Sequence, residues 1–114
     1  KYSQEHRYEE GYYDCSSLVQ RLYQEVGISL PAIASTQGEF MVTHGLEVTE
    51  GELEPGDLIF YSYEQNGQFR NISHVAIYVG NGRMVHAANS RRGVVNDPFN
   101  PSNIGLYGRP SRLQ

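Results

Sequence analysis

A chain of 114 residues with 39% hydrophobic and 19% charged residues has the length and balance of one globular domain. The net charge is −4 and the longest Lys/Arg stretch is the pair Arg91–Arg92, which excludes the concentrated basic face that nucleic acid requires. No apolar run approaches a membrane span, and a single cysteine, Cys15, excludes an intramolecular disulfide.

Lys1 is neither an initiator Met nor the start of a signal peptide, so the chain is expected to be a piece cut from a longer protein. Residues 1–13 are polar and aromatic without a clear period and read as ordered loop or short turns. From Asp14 the pattern changes. Cys15, Leu18, Val19, Leu22, Tyr23 and Val26 recur at steps of three and four, which predicts a helix with one apolar face. Asp14 suits its N-cap and Gly27 its left-handed stop. Ser35 to His44 predicts a weaker second helix, with Ser35 as N-cap and Gly45 as stop. The acidic stretch Glu47 to Glu54 reads as a solvated face.

After Pro55-Gly56 the grammar is that of strands. Leu58 to Tyr61 is one, Gln65 to Gln68 marks a turn, and Ile72 to Val79 is a second. Asn81-Gly82 is the strongest hairpin signal in the chain, and Arg83 to Ala88 follows it as a third strand. Val94-Val95 and Ile104 to Tyr107 supply one short strand each, confined by Pro98, Pro101 and Pro110. Helices followed by hairpin-linked strands predict an α+β fold with an antiparallel sheet.

Cys15 falls in the first turn of its helix, where unpaired N–H groups and the helix dipole favour the nucleophilic thiolate. Its own N–H is placed to help hold an oxyanion. The charge of Asp14 opposes the thiolate, so a cation such as an imidazolium is needed nearby. The plainer reading is a buried structural thiol, because Cys15 also opens the apolar stripe. His74 and His86 flank the Asn81-Gly82 turn. A three-residue loop, Gly80 to Gly82, sets Ala76 opposite His86 and puts both histidines on one face as diagonal neighbours. A two-residue loop puts them on opposite faces. One Cys, two His and either His6 or His44 also make a possible zinc set, although close ligand pairs are lacking. There is no serine nucleophile elbow, phosphate loop or EF-hand.

Several segments then match a known family in order. Tyr13-Asp14-Cys15-Ser16-Ser17-Leu18-Val19 resembles the nucleophile motif of NlpC/P60 cysteine peptidases. Leu53 to Phe60 (LEPGDLIF) resembles the lead-in to that family's first core strand, Ser73 to Gly80 (SHVAIYVG) its histidine strand, and Arg83 to Ala87 (RMVHA) the strand of its third polar residue. With Leu30-Pro31 and Ser35-Thr36-Gln37, the resemblance runs over about residues 11–90. It implies a papain-like fold: N-terminal helices packed on an antiparallel sheet of about five strands, with His74 and His86 both facing Cys15. It implies that Cys15 attacks, His74 is the base and His86 orients it.

The implied substrate is the bacterial peptidoglycan stem peptide, cut between D-γ-glutamate and the following meso-diaminopimelate or L-Lys. Asp14 matches a position that meets the substrate's ammonium group and Ser35 a serine of the same subsite, while Ser73 lines the groove. Tyr2 stands, after a one-residue insertion, for a tyrosine that reaches the oxyanion. The resemblance implies a secreted, cell-wall enzyme without cofactor or metal, monomeric as an isolated domain. Two departures stand out. Ser17 replaces the usual Gly, and an upstream aromatic-plus-double-glycine stretch is missing. The alternatives are a papain-like thiol amidase or acyltransferase on another substrate, and a non-catalytic wall-binding module.

Overall fold

The computed structural model describes residues 15–89 and 93–113. Two α-helices, α1 (Cys15–Gln24) and α2 (Ala34–Thr43), precede six strands: β1 (Glu47–Val48), β2 (Leu58–Tyr61), β3 (His74–Gly80), β4 (Arg83–Asn89), β5 (Gly93–Pro98) and β6 (Ile104–Gly108). They form one sheet in the order β1-β6-β2-β3-β4-β5, with every neighbouring pair antiparallel. The α+β expectation holds, and the two-residue β1 takes the sheet to six strands rather than about five.

Both faces of the sheet are covered, because side chains alternate along a strand and each face here meets its own apolar layer. On one face Val19, Leu30, Ala34, Met41 and Leu46 pack on Leu58, Phe60, Val75, Ile77 and Leu106. On the other, Ile59, Tyr61, Ala76, Met84 and Tyr107 pack with Val48, Leu53, Phe99 and Ile104. The central strand β2 therefore reads as an unbroken apolar run, and all four of its residues are fully buried. The helix α2 lies close on the sheet. A Cβ on Gly108 would stand 2.5 Å from Met41, and one on Gly38 2.6 Å from Ile72.

The stop of α1 is as expected, with Gly27 at φ +85°. The start of α2 is not. The helix begins at Ala34 with extended Ile33 as its N-cap, and Gln37 N–H already donates to Ile33 C=O. Ser35 is inside the first turn, where its buried hydroxyl donates to Gln68 Oε1 at 3.3 Å instead of capping. The acidic stretch is also more than a solvated face. Val48 is buried, Glu50 accepts from the Tyr107 hydroxyl, and Thr49 and Glu52 form a capping box on the turn Glu50–Glu52.

The Pro55-Gly56-Asp57 turn is a framework feature. Asp57, 2% exposed, receives both Nε and Nη2 of Arg109 at 2.8 Å and also accepts the Glu54 N–H. That fork ties the end of β6 to the start of β2. From the other side the Tyr23 hydroxyl donates to Gly56 C=O, locking α1 to the same turn. Burial, and then the Asp57 charge, push the Tyr23 hydroxyl up to about 12, so it stays a donor.

Candidate active site

The β3–β4 hairpin decides where the two histidines point, and it does so by a route the loop length alone does not give. Gly80 pairs with Arg83, so the connection is the two-residue Asn81-Gly82 turn, with φ of +54° and +69°. By itself that turn would send the histidines to opposite faces. A bulge between Tyr78 and Gly80 absorbs Val79, and the pairing beyond it is Tyr78 with Met84 and Ile77 with Val85. Continued one step, this register sets Ala76 opposite His86, as a three-residue loop would. His74 and His86 therefore share a face.

They are bonded to each other. His74 Nε2 lies 2.7 Å from His86 Nδ1, and the rings meet edge to face at 72°. The chain of contacts continues: His86 Nε2 lies 2.9 Å from Asp97 Oδ2, which belongs to β5. A carboxylate only accepts, so His86 donates its Nε2–H to Asp97. Asp97 sits diagonally from His86 across the β4–β5 ladder, where His86 pairs with Val95 and Met84 with Asp97.

Tyr61, which pairs with His74 across β2 and β3, forms the floor beneath this chain. Its hydroxyl donates to Asn100 C=O at 2.7 Å, and its ring stacks on Tyr63 with centroids 5.5 Å apart. Tyr63 is half exposed and its ring centroid lies 6.3 Å from that of His74. Burial raises the Tyr63 hydroxyl above its ordinary value, and the charge of Cys15 raises it further. Cys15 itself is half-buried at the first position of α1, and the side chain packs against the helix-covered core.

Burial, reinforced by the neighbouring His86, lowers the His74 imidazole to about 4. At neutral pH His74 is uncharged. An uncharged imidazole with one nitrogen held by His86 offers the other to a proton donor. An imidazole in that state can take a proton from a thiol within reach and return it to a leaving group.

Of the other residues singled out in the sequence, Ser73 is exposed next to His74, and its N–H donates to Tyr61 C=O. Ser35 is buried and engaged with Gln68. Ser17 is buried as well. Asp14, Tyr2 and His6 lie outside the described residues. His44 ends α2 with its ring against Phe40, and among the described residues no cluster of three or more His, Cys, Asp or Glu side chains is arranged to hold a metal. Among the described residues no helix is long and apolar enough to cross a membrane. The sequence reading missed Asp97 and Tyr63. Tyr63 had one signal, its two-residue step from Tyr61 at the end of a strand.

The family model of the NlpC/P60 family matches residues 3–104. The chain belongs to the NlpC/P60 family. It is similar to the gamma-D-glutamyl-L-lysine dipeptidyl-peptidase of Bacillus cereus, 33% identical over 101 residues, covering 88% of this chain and 28% of that relative. The chain thus spans little more than a quarter of that protein's length. Among solved structures it resembles NlpC1 from Trichomonas vaginalis, with a TM-score of 0.79 and 27% identity over 96% of this chain and 38% of that one. It also resembles RipD from Mycobacterium tuberculosis, described as a non-catalytic NlpC/p60 domain protein adapted to peptidoglycan binding (TM-score 0.68, 26% identity, 85% of this chain and 66% of that one).

Proposed function

We propose that this NlpC/P60 domain is a cysteine endopeptidase that hydrolyses bacterial peptidoglycan stem peptides at the bond between D-γ-glutamate and the following diamino acid. The observation that carries the reading is the His74–His86 hydrogen bond at 2.7 Å, made across a bulged hairpin and beside the Tyr63 ring, in a chain whose one cysteine opens α1. The name of the Bacillus cereus relative supports the choice of bond.

In this mechanism His74 accepts the Cys15 thiol proton on the nitrogen not engaged by His86, and Sγ attacks the scissile carbonyl carbon. The resulting oxyanion lies at the start of α1, where the Cys15 N–H and the helix dipole stabilise it. The C–N bond then breaks, His74 delivers its proton to the departing amine, and a thioester forms. Water, deprotonated by His74, attacks the thioester carbonyl carbon; the C–S bond breaks, the carboxylic acid leaves, and the Sγ thiolate takes the proton back from His74. His86 holds the ring in position throughout.

Asp14 and Tyr2 are proposed to bind the substrate's ammonium group and the oxyanion, and Ser73 to line the groove. Ser35 joins the same subsite if its hydroxyl exchanges Gln68 for substrate. The domain acts, in this reading, as a monomeric part of a longer exported protein at the cell wall. Digestion of purified muropeptides with product identification by mass spectrometry tests the proposal. Fragments split after D-γ-glutamate are expected. Intact muropeptides alongside rapid iodoacetamide labelling of Cys15 would instead point to an amidase or acyltransferase on another substrate. Slow labelling with no cleavage would point to a binding module.

A further inference from the structure

We propose that Asp97 is a positioning residue that sets the proton arrangement of both histidines; this rests on the reading of His74 as base. Asp97 lies on the inward-facing side of β5, with Gly93 and Val95, while Val94, Asn96 and Pro98 alternate outward. A carboxylate there is partly shielded from water, with its side chain 21% exposed, and it stands 2.9 Å from an imidazole that is 9% exposed. Such a group is costly to shield without a donor.

The donor it selects fixes everything upstream. With Asp97 accepting, the His86 proton sits on Nε2, and the Nδ1 of neutral His86 becomes an acceptor. His74 Nε2, 2.7 Å away, must then be the donor. That assignment leaves the lone pair of His74 on Nδ1, the form a general base requires. When His74 takes a second proton, the same Nε2–H still points at a lone pair, and the Asp97 charge lies at the far end of the chain to favour the imidazolium. Without the carboxylate, His86 is free to carry its proton on Nδ1. His74 then accepts on Nε2 and holds its proton on Nδ1, where it can no longer take one from Cys15. The orienting residue His86 therefore has a charge standing behind it.

Asp97→Asn tests this, since an amide can present N–H to His86 Nε2 and favour the reversed arrangement. The expected result is a kcat lower by roughly 10- to 100-fold with KM within about twofold, and partial recovery in Asp97→Glu. Nitrogen NMR of the imidazoles, recorded in a Cys15→Ala background, is expected to show His86 protonated on Nε2 and His74 on Nε2, and both reversed by Asp97→Asn. Unchanged kcat with unchanged tautomers in Asp97→Asn overturns the proposal. If that variant does not fold, the wild-type tautomers decide, and His86 protonated on Nδ1 overturns it. Should no muropeptide be cleaved at all, the functional reading fails while the NMR comparison still judges Asp97.

Discussion

Two shielded carboxylates anchor opposite halves of the same sheet, and their partners differ. Asp57 at the start of β2 is forked by Arg109 from the end of β6. Asp97 on the edge strand β5 receives His86 from β4. A guanidinium does not give up its proton in a protein, so the first pair is a fixed clamp on the fold. An imidazole can carry its proton on either nitrogen, so the second pair directs where protons sit. Similar geometry thus makes a frame at one place and, in the proposed mechanism, part of a reaction site at the other, and the chemistry of the base decides which.

The comparison is broken most severely at the histidines. His74→Ala is expected to lower kcat/KM by about 10³-fold, within the usual range for removing a general base. His86→Ala is expected to cost roughly 10- to 100-fold, because the base survives but is no longer held. Matched kinetics giving the reverse order would exchange the two roles. Next comes stability against pH. The folded His74 titrates near 4, below the ordinary 6.5 of an unfolded chain. Between those values the unfolded state binds the extra proton, so stability present above pH 6.5 is lost as pH falls and levels off below 4. The loss is up to about 3 kcal/mol. Denaturation curves of wild type and His74→Gln across that range are expected to diverge, with the variant less sensitive to acid. The smallest change in turnover is expected at the clamp. Asp57→Asn lowers the melting temperature clearly while kcat of the folded protein stays within about twofold. A variant that kept its melting temperature but lost turnover would move Asp57 out of the frame.

Much of this is legible in the sequence itself. The apolar stripe from Cys15 to Val26 and the stop at Gly27 describe α1, and the run Leu58 to Tyr61 announces a strand buried on both faces. The histidine pair was only half legible. Asn81-Gly82 correctly signals a two-residue turn, but the bulge at Val79 that restores the shared face arises from the pairing between whole strands. Asp97 was hidden for a similar reason. In sequence it sits in Asn96-Asp97-Pro98, which looks like a turn, and only the ladder with β4 sets it diagonal to His86. Ser35 misled because a serine before a helical pattern is normally its cap. Here the cap is Ile33, two residues earlier, and the Ser35 hydroxyl finds Gln68 instead.

The most direct test of the central claim is muropeptide turnover by wild type and Cys15→Ala, compared at equal folded concentration by circular dichroism. Fragments ending in D-γ-glutamate are expected from wild type, with a loss of at least about 10³-fold in the variant. Comparable release of those fragments by both proteins would contradict it, because the nucleophile would then have to be another group.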